Sequence, residues 1–215
     1  MPFVKHFALT LGATVVVLAM CLVAQPYYAV CAPTVPEQLT PPDELIDALR
    51  RGGLVLYLRH GATDHSLDDR HPVDLTDCST QRNLSEQGRN QAKGIAEAIA
   101  RLGIQIDEVV ASPFCRCRDT AQLAFGHYRT DDNLYFAVVV DKEQRARQSE
   151  WLRQTLASPP PPGTNKVLVS HTANLREATG IWPKPEGVAW VIRPKGNGQY
   201  EALGKIEPSF WPQTK

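Results

Sequence analysis

The chain has no surplus of either charge: 23 Lys+Arg stand against 23 Asp+Glu over 215 residues. Proteins that hold nucleic acid by bulk charge carry a basic excess, so the balance argues against that class. It lacks any compact metal-binding spacing. His65 and His71 stand in an Asp-rich loop, but their separation matches no such motif, and a solvated loop is the reading. It has no internal repeat. Cysteine is scarce, with five in all. Acids are missing altogether before Glu37, and Lys5 is the one Lys or Arg among the first 32 residues. What is present is a globular balance, 43% hydrophobic and 21% charged, well away from the composition of disordered chains. One domain of ordinary size is expected after the uncharged start.

That start has a shape of its own. Lys5 and His6 precede an apolar run from Phe7 to Ala24, interrupted at Thr10, Gly12 and Thr14. A short basic opening followed by an apolar stretch reads as a secretory signal. The run is long for a signal core and near the lower limit for a membrane span, so an uncleaved anchor is the alternative. Residues 1–32 are assigned to this signal or anchor, which predicts a secreted or periplasmic protein, or a membrane-anchored one with its domain outside the cytoplasm. Five prolines lie between Pro26 and Pro42, and residues 33–42 read as a Pro-rich linker. The domain is expected over residues 43–215.

Within it, apolar runs and amphipathic segments alternate. A helix opens at Pro41–Pro42 or Asp43, with Leu45, Ile46 and Leu49 as its apolar face. Gly53–Leu58, Glu108–Ala111 and Lys166–Ser170 read as buried strands, and Tyr135–Val140 is a further apolar run. Leu84–Leu102 reads as a helix capped by Ser85, with Ala92, Ile95, Ala96, Ile99 and Leu102 at helical spacing. Ser112–Pro113 is expected to start a helix that ends at Gly126. Further helices are predicted over Glu143–Leu156 and near Asn174–Ala178. Val188–Ile192 and Tyr200–Ile206 read as late strands joined by a Gly-Asn-Gly turn. Continuous apolar strands alternating with helices predict a three-layer α/β/α sandwich around a mostly parallel sheet.

Polar residues follow three of the strands directly: Arg59-His60-Gly61, Ser112-Pro113-Phe114-Cys115-Arg116 and Ser170-His171-Thr172. In open α/β sheets the ligand crevice lies beyond the carboxyl ends of the strands. Two histidines and two arginines are therefore expected to converge. That set suits phosphoryl transfer. A neutral imidazole attacks phosphorus, and arginines hold phosphate oxygens through charge-assisted bonds while lowering the pKa of the histidine beside them. Helix amides after Ser112-Pro113 are expected to add to the anion site, and Gly61 to let backbone approach the phosphate.

The stretch Leu58-Arg59-His60-Gly61-Ala62-Thr63 resembles the signature of the histidine phosphatase superfamily, the phosphoglycerate mutase-like fold. Leu84–Ala92, Ser112–Ala121 and Val167–His171 resemble three further landmarks of that family in the same order, so the likeness spans roughly residues 50 to 206. The resemblance implies a metal-independent, histidine acid phosphatase-type phosphoric monoester hydrolase. In it His60 would be the phosphoryl-accepting nucleophile, Arg59 and Arg116 would bind the phosphoryl group, and His171 would stabilise its oxygens. It implies no cofactor, no metal and no nucleic acid, with a small phosphorylated substrate as the partner. A phosphoglycerate-type mutase, or a non-catalytic phosphate- or glycan-binding envelope protein, are the alternatives. Ala62 stands where the family often has an acid or amide, and Ser66 near a usual Asn. For the general acid, Glu143 falls between the second arginine and the second histidine; Asp64, Glu150 and Glu177 are weaker candidates. Arg118 reads as peripheral, His127 as a surface residue, and Trp182, Trp190 and Trp211 as packing residues.

Cys78, Cys115 and Cys117 fall in the domain. Export permits a disulfide. A Cys78–Cys115 bond would tie the long loop to the helix beside Arg116, a Cys115–Cys117 bond would be strained, and three free thiols are the alternative.

Overall fold

The structure is a computed structural model and describes residues 39–211. The predicted leader and most of the predicted linker lie outside the described residues. The first helix, α1, runs Pro42–Arg51, with Pro at its first turn, Asp43 and Glu44 at the positive end and Arg50 and Arg51 at the negative end. Then follow β1 (Val55–Arg59), α2 (Glu86–Leu102), β2 (Ile106–Ala111), α3 (Cys115–Phe125) and β3 (Arg129–Thr130). The chain is completed by α4 (Lys142–Ala157), β4 (Asn165–Ser170), α5 (Thr172–Thr179), β5 (Ala189–Gly196) and β6 (Gln199–Ile206).

Six strands form one mixed sheet in the order β3-β2-β4-β1-β5-β6. The first four are parallel, and β5 and β6 are antiparallel. The parallel strands carry apolar residues on both faces because helices cover both. Leu56 and Leu58 of β1 face the layer of α1, α2 and α3, among Leu45, Leu49, Ala92, Ile95 and Ala121. Val55 and Tyr57 face the layer of α4 and α5, among Leu152, Leu156 and Leu175. The α/β/α sandwich expected from the alternation of runs is thus the observed fold. Each fully buried leucine contributes about 1.5–3 kcal/mol by leaving water.

The β5–β6 hairpin turns through Asn197 (φ 51°) and Gly198 (φ 74°). Both central residues are left-handed, as a two-residue type I′ turn demands, which is why Asn-Gly stands there.

Two expected elements differ. The helix predicted from Ser112 begins at Cys115, because Ser112 and Phe114 stay extended: Ser112 N–H completes the sheet on Val169 O (2.9 Å) and Phe114 has ψ 139°. The apolar run Tyr135–Val140 adds no strand. The edge beside β2 is taken by Arg129–Thr130, with Arg129 clamped on Glu108 (2.8 Å). Residues 135–140 instead cross the site described next, where Phe136 stacks against a histidine ring.

Candidate active site

Register brings the site together. Adjacent strands β2, β4 and β1 end level: Arg59 pairs with Ser170, Leu58 with Val169, and Ala111 with Val169. His60 N–H donates to Ser170 O (3.0 Å) just past the last pair. His60, Arg116 and His171, more than 50 residues apart in sequence, therefore meet over the carboxyl ends of these strands. The two imidazoles lie 5.4 Å apart, centroid to centroid. All three side chains are buried, and Arg59 is mostly buried beside them.

The His60 ring is oriented by its neighbour. Its Nδ1 lies 2.9 Å from the carbonyl of Gly61, which can only accept, so Nδ1 carries the proton. The neutral ring then presents an Nε2 lone pair. Burial holds the His60 pKa well below the ordinary value, and the Arg116 charge pushes the same way. Burial is thus the larger cause, ahead of the arginines that the sequence pointed to. His171 is lowered well below its ordinary value by the same two causes in the same order. Its ring sits between Phe114 (5.2 Å) and Phe136 (4.7 Å), and Nε2 hydrogen-bonds with Ser112 Oγ (2.8 Å). Tyr57 OH donates to the His171 carbonyl (2.7 Å), fixing the backbone at the start of α5.

Both arginines are held by carboxylates that sequence reasoning does not single out. Arg116 Nη1 donates to Asp69 Oδ1 (2.9 Å) and to Arg82 O (3.3 Å), while its Nε and Nη2 are buried without a protein partner. The Phe114 and Phe136 rings flank its guanidinium at 4.6 and 5.4 Å. Arg59 Nη2 donates to Glu186 Oε1 (3.0 Å). Glu186 also receives Thr63 N–H (2.9 Å) and Thr63 Oγ1 (3.1 Å). Asp69 and Glu186 sit in loops whose path no hydrophobic period encodes; the nearest signal was the density of Asp between Asp64 and Asp77.

The candidate acids lie elsewhere. Among the described residues, Glu143, Asp64, Glu150 and Glu177 make no contact with the two histidines or the two arginines. Glu143 is exposed in the first turn of α4. Asp64 accepts Ser66 Oγ (2.7 Å) and Ser66 N–H (2.9 Å), which hold it below the usual carboxylate range, the wrong direction for an acid catalyst. Glu150 is lowered by its bonds to Gln154 and Arg153, and Glu177 pairs with Arg176.

Of the remaining expectations, some are met and some change. Gly61 also serves packing: a Cβ there would come 2.7 Å from Gly88 O at the start of α2. The first amide of α3 is already taken, since Cys115 N–H donates to Gln81 Oε1 (3.0 Å). Cys78 and Cys115 form a disulfide, leaving Cys117 free and buried. Burial pushes the Cys117 thiol up to about 12, so it stays protonated beside His171. Arg118 bonds Tyr128 OH and Leu75 O, away from the histidines, and His127 is exposed. Trp190 and Trp211 are buried, and Trp182 is half exposed between Arg176 and Lys184. A groove of about 460 Å³ at the opposite end of the strands, lined by Ile99, Ile104, Leu123 and Phe125, shares none of the site residues.

A family model, the histidine phosphatase superfamily (branch 1), matches residues 55–135, which include Arg59, His60 and Arg116. Over that stretch the chain resembles the histidine phosphatase superfamily (branch 1).

Among curated proteins similar to this chain, the mitochondrial serine/threonine-protein phosphatase Pgam5 of Drosophila persimilis is 27% identical over 156 residues, 73% of this chain and 38% of the relative. Pgam5 of Drosophila willistoni is 24% identical over the same share of each. The chain thus spans about two-fifths of the length of these relatives. Among solved structures, the protein histidine phosphatase SixA complexed with tungstate superposes with a TM-score of 0.53 at 14% identity, covering 73% of this chain and 98% of that one. A mycobacterial glucosyl-3-phosphoglycerate phosphatase with VO3 gives 0.53 at 18% identity, covering 73% and 100%. At these identities the likeness is one of fold.

Proposed function

We propose that the chain is a metal-independent phosphatase that hydrolyses a phosphomonoester through a phosphohistidine on His60. The observation that carries this reading is the state of His60. It is buried and neutral, with its proton committed to Gly61 O at 2.9 Å, beside an Arg116 whose buried Nε and Nη2 have no protein partner. Those N–H groups are donors for two phosphoryl oxygens. Nε2 of His60 forms the P–N bond as the P–O bond to the leaving group breaks. The leaving oxygen takes a proton from solvent water, and the Arg59, Arg116 and His171 side chains stabilise the charge on the remaining oxygens. Water then attacks the phosphoryl group, releasing orthophosphate and neutral His60. The tungstate and vanadate in the two solved relatives are phosphate-like oxyanions and agree with this reading.

The same proposal places the enzyme outside the cytoplasm, on the strength of the basic, apolar start at Lys5–Ala24 and a disulfide at the site.

Hydrolysis of an aryl phosphate in the presence of a chelator tests the mechanism. The wild type is expected to turn over, and His60→Ala to lose about 10³-fold or more of kcat and to form no phosphoenzyme. Equal activity in the two proteins would remove His60 as the nucleophile.

A further inference from the structure

Arg82 is a third guanidinium at this pocket. It precedes α2 and is carried by the loop that also brings Asp69. Asp69 Oδ1 is shared: it accepts Arg116 Nη1 and the Arg82 backbone N–H, each at 2.9 Å. Arg116 Nη1 also donates to the Arg82 carbonyl at 3.3 Å. One carboxylate and one carbonyl therefore set the Arg82 backbone directly against the Arg116 guanidinium. The Arg82 side chain then follows the mouth. Its Nη1 comes to 3.4 Å from His65 Nδ1, and His65 Nε2 lies 3.3 Å from Glu186 Oε2, the carboxylate that holds Arg59. Arg82 Nε is buried with no protein partner, as are Arg59 Nε and Arg116 Nε and Nη2. The Arg82 charge acts on His60, His171 and Arg59 alike, lowering the pKa of each.

A buried guanidinium N–H without a partner is costly, and four such nitrogens on three arginines at one pocket need a common acceptor. We propose that Arg82 is a third ligand of the phosphoryl group, closing the mouth over an oxyanion already held by Arg59 and Arg116. Structural duty is a poor account of the side chain, because Asp69 and Arg116 hold Arg82 through its backbone, while its guanidinium meets the exposed His65 at 3.4 Å. The proposal rests on the phosphate-pocket reading above and extends it to a residue outside the Arg-His-Gly and second-arginine motifs. Three cations against Asp69 and Glu186 leave one positive charge at the pocket, so a doubly charged phosphoryl group is favoured over a singly charged ester.

The test uses the full chain and two probes, orthovanadate and inorganic phosphate, measured by inhibition of aryl phosphate turnover and by direct calorimetric binding. Arg82→Gln is expected to weaken both probes and to raise KM by about 10- to 100-fold, the scale of a charge-assisted bond, with a smaller change in kcat. Arg82→Lys, which keeps the charge and the stem, is expected to restore part of the loss and guards against a folding defect in the Gln variant. Unchanged probe affinity in Arg82→Gln, or affinity lost equally in both variants, would overturn the assignment. Calorimetry on the His60→Ala background separates the two proposals. If vanadate binding depends on Arg82 there while the wild type shows no turnover, Arg82 stands and the catalytic reading falls. If turnover is normal and binding ignores Arg82, the reverse holds.

Discussion

At the scale of the residue, the two histidines set a testable link between pH and stability. In the unfolded chain a histidine titrates near 6.5. In the native protein burial, reinforced by Arg116, keeps His60 and His171 neutral to well below that value. The folded state therefore binds fewer protons than the unfolded state under acid conditions. Stability is full above about pH 7 and is lost as pH falls from about 6.5 toward the depressed native values, with a slope of up to about 1.4 kcal/mol per unit for each histidine. Urea denaturation at pH 7.5 and 5.5 checks this. His171→Gln is expected to lose about 1.4 kcal/mol less than the wild type over that interval. If the two proteins lose the same amount, His171 is not held neutral. His60, the proposed nucleophile, stays unprotonated by the same argument, so kcat/KM is not expected to break near 6.5. His60, Arg59, Arg116 and His171 were legible in the sequence because each follows the end of an apolar run, where an α/β sheet puts its ligands. Asp69, Arg82 and Glu186 were not. They reach the pocket from irregular loops, where the next turn of the chain depends on local bonds such as Asp64 to Ser66 and Asp77 to Ser79.

At the scale of the element, the start of α2 is the buttress behind His60. Ser85 caps the helix by accepting Gly88 N–H (3.2 Å) and donates to Ala62 O (3.1 Å), so the cap and the loop after His60 are one unit. Gly61 N–H donates to Thr120 Oγ1 of α3 (3.1 Å), adding a second support. The loop and α2 approach so closely that a Cβ on Gly88 would come 2.0 Å from Ala62 O. Ordinarily Gly→Ala inside a helix stabilises by about 0.5–1 kcal/mol. Here the backbone contact reverses the sign, because an overpacked site costs about 1–3 kcal/mol. Gly88→Ala is expected to lower the thermal midpoint and to cut turnover by moving His60. A midpoint equal to or above wild type would refute the close approach. The helices and buried strands were legible because their periods differ and their caps are local, as with Ser85 and the Gly103 that ends α2 in a left-handed conformation (φ 67°). The run Tyr135–Val140 was not, since apolar side chains covering a histidine and side chains filling a strand look alike in a linear pattern.

At the scale of the whole molecule, the sheet supplies rigidity and one covalent bond supplies placement. Arg59, His60 and His171 stand directly on strand ends, fixed by the ladder of β1 and β4. Arg116 does not; it sits in the first turn of α3, after three residues that belong to neither strand nor helix. The Cys78–Cys115 bond, spanning 37 residues, compensates at that point. Cys115 adjoins Arg116, and Cys78 O accepts Asn83 Nδ2 (2.7 Å), so the bond registers the Arg82 segment against the helix that carries Arg116. Gln81 Oε1 on Cys115 N–H stitches the same seam (3.0 Å). Closing a loop of this length stabilises the folded state by about 2–4 kcal/mol through the unfolded chain. A purely global effect would leave kinetics untouched at temperatures where the protein remains folded. The local geometry predicts more: with both cysteines replaced by serine, the denaturation midpoint falls and KM for an aryl phosphate rises well before kcat declines. Kinetics at 15 °C, where the variant stays folded, separate the two contributions. A lower midpoint with an unchanged KM would reduce the disulfide to a general staple, whereas a raised KM in folded protein makes it part of the phosphate site.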